Sequence, residues 1–286
     1  MGDQVREALA GLDGAEFDVV VIGAGVNGAS AAERLAADGY RVLIVDKGDF
    51  ASGASSRSSR LLHCGLRYLA PGRSILDFAR RPSRLKTALR MARLAMQARS
   101  EFVKAFPERV GQMRLHFPIY AGGLYRGWHL DLAFRLLERL GPGDLPLDYR
   151  RLTPQEARAL PLIGGLRDPD RLLGVAAFRE YQFQWPERVA VDAIGRAEDA
   201  GARARNHTAA RIAGRDGEGW RIELTDMLSQ TPPIIVKSRM NLVTAGAWID
   251  EVARGGAPPP PREIIGPQGG PHLLPPPPGC PGPRRP

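Results

Sequence analysis

The sequence predicts an α/β fold: a Rossmann-like domain, an inserted α+β region and a proline-rich C-terminal tail. Three observations carry this prediction. Residues 18–46 read as strand, glycine turn, helix, strand and acid. Helix-like and strand-like segments then alternate as far as Trp248. From Gly255 the composition changes, and the last 32 of the 286 residues hold 13 of the 25 prolines. Such a stretch supports neither an interior helix nor a central strand, and it is expected to be extended or disordered.

The first element carries the most information. Asp18–Ile22 is apolar and β-branched, as a strand buried on both faces should be. Gly23, Gly25 and Gly28 follow in the pattern G-x-G-x-x-G. Gly23 permits a tight turn, Gly25 lets a pyrophosphate approach the backbone, and Gly28 lets helix and strand pack closely. Small residues continue to Ala37, Gly39 stands where a helix C-cap is expected, and Arg41–Val45 forms a second strand ending on Asp46. A helix N-terminus offers N–H groups and positive potential to phosphates. A carboxylate at the end of the second strand accepts bonds from a free ribose 2′-OH, which argues against NADP. A lone glycine pattern is weak, but one set between strand and helix with the acid in place points to a dinucleotide. The choice between NAD and FAD rests on the next segment. It is rich in glycine and serine (Ser52, Gly53, Ser55, Ser56, Ser58, Ser59) instead of continuing as helix and strand. Its N–H and hydroxyl donors suit a pyrophosphate and the polar edge of a flavin.

Here the chain resembles a known family. Asp18–Leu69, and most specifically the run SSRSSRLLHCGLRYL at 55–69, is similar to the N-terminus of the FAD-dependent glycerol-3-phosphate dehydrogenases, within the D-amino-acid-oxidase-like flavoproteins. The family pattern there is a double serine stretch, a basic residue, His-Gly-Gly and Leu-Arg-Tyr-Leu. This chain departs from it at Cys64, which replaces the first glycine and is expected to crowd the flavin or shift the local backbone. Residues 241–248, NLVTAGAW, resemble the strand and turn that return the family's FAD domain to its cofactor. The resemblance implies FAD, held by Gly23, Gly25, Gly28 and Asp46, then by Ser55, Ser56, Ser59, Leu62, His63 and Gly65. It adds a backbone contact to adenine at Thr208 and Ala209, and contacts from Ala245 and Gly246. It implies oxidation of sn-glycerol 3-phosphate to dihydroxyacetone phosphate, with electrons passed to quinone. Arg67 matches an arginine at the substrate end, where a guanidinium fork suits a phosphate, and Tyr68 a neighbouring hydroxyl contact. His272 aligns with a histidine near the reacting hydroxyl, but it lies among tail residues that match poorly. Two other readings stay open: another flavoenzyme of the superfamily, and a non-catalytic FAD-binding fragment.

The remaining elements follow in order. Ser83–Ala105 has helical spacing and is closed by Pro107; residues 113–125 read as a strand broken by Pro118 and a Gly122-Gly123 turn. His129–Leu140 reads as a helix, with Trp128 read either as touching a membrane interface or, in preference, as part of the core of the inserted region. Thr153, Pro154 and Glu156 form a capped helix start. Arg179–Trp185 is extended; Glu187–Ala200 reads as helix; Ala202–Ile212, Trp220–Leu224, Ile234–Val236 and Leu242–Thr244 read as strands. The expected domains are 16–75 (first part of the FAD domain), 76–185 (an incomplete substrate or cap region), 186–254 (returning FAD domain) and 255–286 (tail). Family members are longer than this chain, so a truncated or frameshifted product with weak FAD binding and little activity is expected.

Composition narrows the partners. The formal charge is +9, and between Arg57 and Lys104 twelve basic residues face only Asp77 and Glu101. That run is read as a solvated helix face or as a surface for anionic lipid, the latter matching the peripheral membrane habit of the resembled family. Nucleic acid is not expected, because no binding motif or stacking platform accompanies the charge. The two cysteines, Cys64 and Cys280, support no disulfide framework and no metal site. With no leader and no long apolar run, a cytoplasmic location is expected, or one on the inner face of the cytoplasmic membrane.

Overall fold

The structure, a computed structural model, describes residues 8–69, 78, 80–160, 166 and 168–254. The expectations placed on the proline-rich tail and on His272 and Cys280 fall outside the described residues. In chain order the first elements are β1 (Glu16–Ile22), α1 (Val26–Ala37), β2 (Val42–Val45), β3 (Leu61–Leu62), α2 (Pro82–Ala105) and β4 (Val110–Tyr120). Then come α3 (Gly127–Leu140), β5 (Arg150–Leu152), α4 (Pro154–Arg158), β6 (Leu172–Phe183) and α5 (Pro186–Asp199). The last are β7 (Arg203–Arg205), β8 (Thr208–Asp216), β9 (Gly219–Asp226), β10 (Ile234–Val243) and α6 (Ile249–Arg254). They form two compact units, one of residues up to Gly53 and from Ala190 onward, the other of Ala54–Val189.

The first unit is a six-stranded sheet in the order β7-β2-β1-β10-β9-β8. β7, β2, β1 and β10 are parallel, and β10, β9 and β8 form an antiparallel meander. The period of two in β1 sorts its side chains onto two faces. Val19 and Val21 pack with the alanines of α1 and α5, including Ala32, Ala36, Ala193 and Ala197. Val20 and Ile22 pack with Ile222, Leu224 and Val236. Both faces are covered, which is why this run is apolar without alternation. Gly39, at φ +87, ends α1: its N–H donates to Ala36 O at 2.9 Å, and the N–H of Tyr40 to Leu35 O at 3.1 Å.

One expected strand is two. β7 stops at Arg205 and β8 starts at Thr208, because His207 adopts φ +45 and its N–H donates to Gly48 O at 2.8 Å. Conversely, the two short strands expected at 234–236 and 242–244 are one continuous β10.

In the second unit β6 is central, with β4 antiparallel along one side and β3 and β5 along the other. α2 and α3 supply Ala92, Met96, Leu130, Phe134 and Leu137 to a core that also contains Ile119, Ala176 and Phe178. Pro118 does not interrupt β4 as the sequence predicts. Among the described residues β4 pairs only with β6, so the missing N–H of Pro118 falls on an edge strand, where proline is tolerated. Trp128 is not in the core either. The buried stripe of α3 is Leu130, Phe134 and Leu137, and helical geometry turns Trp128 and Leu132 to the opposite face, 53% and 61% exposed. α4 begins with the expected capping box: Glu156 N–H donates to Thr153 Oγ1 at 3.3 Å, and Thr153 N–H donates to Glu156 Oε2 at 2.7 Å.

Candidate functional site

In the first unit the cofactor candidates converge on the C-terminal ends of β1, β2 and β10. The chain leaves β1 through Gly23 at φ +105 and enters α1 through Gly25, which caps the helix with no side-chain hydrogen bond; no acidic residue stands in the first turn. That helix end is suited to an anion. Two glycines are required by contacts within the protein. A β-carbon on Gly23 would lie 2.7 Å from the carbonyl of Thr244 and 2.8 Å from Ala245 Cα. One on Gly28 would collide with Gly23 O and lie 2.6 Å from Thr244 Oγ1.

Asp46, half-buried, is fixed from several sides. Its Oδ2 accepts the N–H of Ala24 at 2.8 Å, and its Oδ1 the N–H of Gly48 at 2.9 Å. Its own N–H donates to Arg205 O at 3.0 Å, and its carbonyl accepts the N–H of Thr208 at 2.7 Å. A carboxylate has about four acceptor positions, so the two backbone bonds leave capacity for ribose hydroxyls. Thr208 is fully buried and ties β8 to the end of β2, while Ala209 pairs with Thr225. Ala245 and Gly246, the latter at φ +56, form the turn after β10.

Thr244 was not singled out by the sequence. Its Oγ1 donates to Gly23 O at 2.7 Å and its N–H to Ile22 O at 2.8 Å, so the first residue after β10 holds the glycine turn from the side. Beside it, Lys47 Nζ lies 4.8 Å from the centre of the Trp248 ring and 3.3 Å from Glu251. Glycines that admit no β-carbon, a helix end without a side-chain cap and an oriented carboxylate fit the ADP half of a dinucleotide.

In the second unit the run at 55–69 turns through Ala54–Arg57, pairs Leu61 and Leu62 with Gln182 and Tyr181, and ends in a 3-10 turn, Leu66–Leu69. Ser55 and Ser56 are half-buried, and Ser59 is exposed. Leu66 and Leu69 pack on the core, whereas His63, Arg67 and Tyr68 are exposed along one short stretch. Gly65, at φ +90, lies against α2, where a β-carbon would sit 2.9 Å from Ala95 Cβ and 3.2 Å from Ala92 Cα.

Cys64 is 1% exposed and belongs to the core of this unit. Burial, then the Glu180 carboxylate, pushes its thiol well above the ordinary range. A thiol with a raised folded pKa contributes stability that is present below its unfolded pKa of about 8.5 and lost as pH rises beyond it. Cys64→Ala should therefore flatten the fall in stability above pH ~8.5, measured by urea unfolding across pH. An unchanged pH profile would place the thiolate cost elsewhere.

Two further residues escaped the sequence reading. Arg99, counted there in the basic run, is fully buried, and its Nε faces Glu180 Oε2 at 3.4 Å. Glu180 Oε1 accepts the N–H of Cys64 at 2.7 Å. Of the basic run, Arg81, Arg84, Lys86, Arg90 and Arg93 on or beside α2 are exposed. Among the described residues no helix is long and apolar enough to cross a membrane.

Comparison with known proteins places this arrangement. The glycerol-3-phosphate dehydrogenase of Synechocystis sp. is 29% identical over 251 residues, covering 85% of this chain and 42% of that protein. The alpha-glycerophosphate oxidase of Streptococcus pyogenes serotype M3 is 27% identical over 278 residues, 94% of this chain and 42% of that protein. The chain thus spans about two-fifths of the length of the curated relatives it matches, 42% for both of these. The X-ray structure of the glycerol-3-phosphate dehydrogenase from Bacillus halodurans complexed with FAD superposes with a TM-score of 0.55 at 20% identity, covering 86% of this chain and 38% of that one. At that identity the likeness shows the fold. The match to the DAO family, described as FAD dependent oxidoreductase, runs over residues 18–286 and takes in both the glycine turn and the 55–69 segment. With the cradle and this match in agreement, the chain belongs to the DAO family of FAD dependent oxidoreductases.

Proposed function

We propose that this chain binds FAD and acts on sn-glycerol 3-phosphate, yielding dihydroxyacetone phosphate, with quinone as the final electron acceptor. The observation that carries the substrate part is the exposure of His63, Arg67 and Tyr68 on one segment whose apolar residues are anchored in the core. Bound FAD supplies the acceptor for the hydride that leaves C2 of the substrate. The chain's residues bind and orient. Gly23, Gly25, Gly28, Asp46, Thr208, Ala209, Ala245 and Gly246 take the ADP half. Ser55, Ser56, Ser59, Leu62, His63 and Gly65 serve the flavin half. Arg67 offers its planar donor fork to the phosphate, Tyr68 adds a hydroxyl, and His272 is assigned the proton of the reacting hydroxyl. The exposed basic face of α2, with Leu94 beside it, supports an anionic lipid surface as the partner. A relative named an oxidase favours a second reading, in which oxygen replaces quinone.

The test is a titration of the FAD-loaded chain followed by flavin absorbance. Glycerol 3-phosphate is expected to perturb the flavin band and glycerol is not. Arg67→Ala should weaken the phosphate-dependent response by ~1.5–3 kcal/mol, the usual range for a charged hydrogen bond, with FAD content unchanged. Equal responses to glycerol and glycerol 3-phosphate would remove Arg67 from the phosphate site.

A further inference from the structure

Beneath the stretch that exposes His63, Arg67 and Tyr68 lies an ion pair in a place where charge is costly. Arg99 is 0% and Glu180 1% exposed. The guanidinium donates from Nη1 to Leu145 O at 2.7 Å and from Nη2 to Arg179 O at 3.4 Å, and lies 5.0 Å from the centre of the Tyr181 ring. Its Nε and Glu180 Oε2, 3.4 Å apart, attract without hydrogen-bond geometry. Replacing a buried pair by apolar residues of similar volume is often neutral or stabilising, so stability alone is a poor reason for keeping one. The other oxygen of the carboxylate supplies a reason. Glu180 Oε1 is the acceptor for the buried N–H of Cys64, at 2.7 Å. Cys64 stands between exposed His63 and Gly65, and the carbonyl of Gly65 accepts the N–H of Tyr68 at 3.0 Å to start the 3-10 turn bearing Arg67.

We propose that Glu180, oriented by Arg99, is a positioning residue: through the amide of Cys64 it sets the backbone of residues 63–68, and with it the placement of His63, Arg67 and Tyr68. The functional consequence rests on the proposed assignment of this stretch to the flavin and substrate. The Cys64 thiol, 1% exposed while the stretch is seated, is an internal reporter, because burial is the first cause that keeps it unreactive.

The test uses the full chain carrying Cys280→Ser, so that Cys64 is the only thiol. Removing the Glu180 charge alone leaves a buried arginine unpaired, so the main variant is the paired apolar replacement Arg99→Met/Glu180→Leu, and the conservative variant is Arg99→Met/Glu180→Gln, whose amide oxygen still accepts from Cys64. Alkylation of Cys64 at pH 8 and the visible spectrum of bound FAD are read together, with circular dichroism checking the fold. In the folded apolar variant alkylation is expected to rise by about tenfold or more, the scale of losing one buried hydrogen bond. The flavin band is expected to shift, and Arg99→Met/Glu180→Gln to restore protection of the thiol. A folded apolar variant with Cys64 as protected as before overturns the positioning role, and so does an Arg99→Met/Glu180→Gln variant as reactive as the apolar one. Faster alkylation with an unmoved flavin spectrum leaves Glu180 as the holder of this stretch and overturns instead the assignment of the stretch to the flavin.

Discussion

Gly28→Ala is expected to abolish FAD binding and to destabilise the first unit by about 3 kcal/mol, near the upper end for inserting a methyl group into a packed site. The added carbon has nowhere to go. It would collide with Gly23 O and lie 2.6 Å from Thr244 Oγ1, and both of those atoms belong to the bond that holds the turn, Thr244 Oγ1 to Gly23 O at 2.7 Å. Relief requires α1 to lift from β1 or the turn to open. Either movement shifts the N-terminus of α1 away from the place proposed for the pyrophosphate. Denaturant unfolding gives the stability change and flavin fluorescence the binding. A Gly28→Ala protein with wild-type stability and full flavin would mean that helix and strand are not packed through this residue.

Arg99→Met is expected to be the most destabilising single change in the second unit, at ~3–5 kcal/mol, because it strands the carboxylate of Glu180 without its counter-charge. Glu180 is only 1% exposed, so water does not replace the guanidinium. The loss also unpairs the carbonyls of Leu145 and Arg179. Adding Glu180→Leu should recover the part due to the stranded charge, leaving the cost of the two carbonyls and of the unpaired Cys64 amide, the latter about 1–3 kcal/mol. A single variant as stable as the parent would show that Glu180 takes another partner or a proton without penalty.

The parts of the fold that were legible in the sequence are those with local causes. The apolar run before Gly23, the glycine spacing, the C-cap at Gly39 and the Thr153–Glu156 box each act within a few residues, and each appears where the pattern placed it. The parts that were not legible depend on partners far along the chain. Thr244 meets Gly23 across 221 positions and Glu180 meets Cys64 across 116, and neither spacing leaves a periodic trace. Trp128 looked like a core residue from its chemistry alone. The phase of Leu130, Phe134 and Leu137 was the better guide, because a helix buries a stripe, not a composition. Arg99 misled for the opposite reason: in a run of basic residues it reads as surface charge, and only the packing of α2 reveals that it points inward. Likewise Pro118 was weighed by its general effect on strands, whereas its effect depends on whether the strand lies at an edge.

The most direct measurement is the flavin content of the purified chain and of its Gly25→Val variant. Gly25 caps α1 in an extended conformation, φ −72 and ψ −177, that any residue can adopt, so valine there should leave the fold intact. Its branched side chain would stand where the pyrophosphate has to approach the backbone. The parent is expected to show flavin absorbance and to release FAD on acid treatment, and Gly25→Val to be folded and colourless. A folded Gly25→Val protein that retains its full complement of FAD would contradict the assignment of this turn to the cofactor.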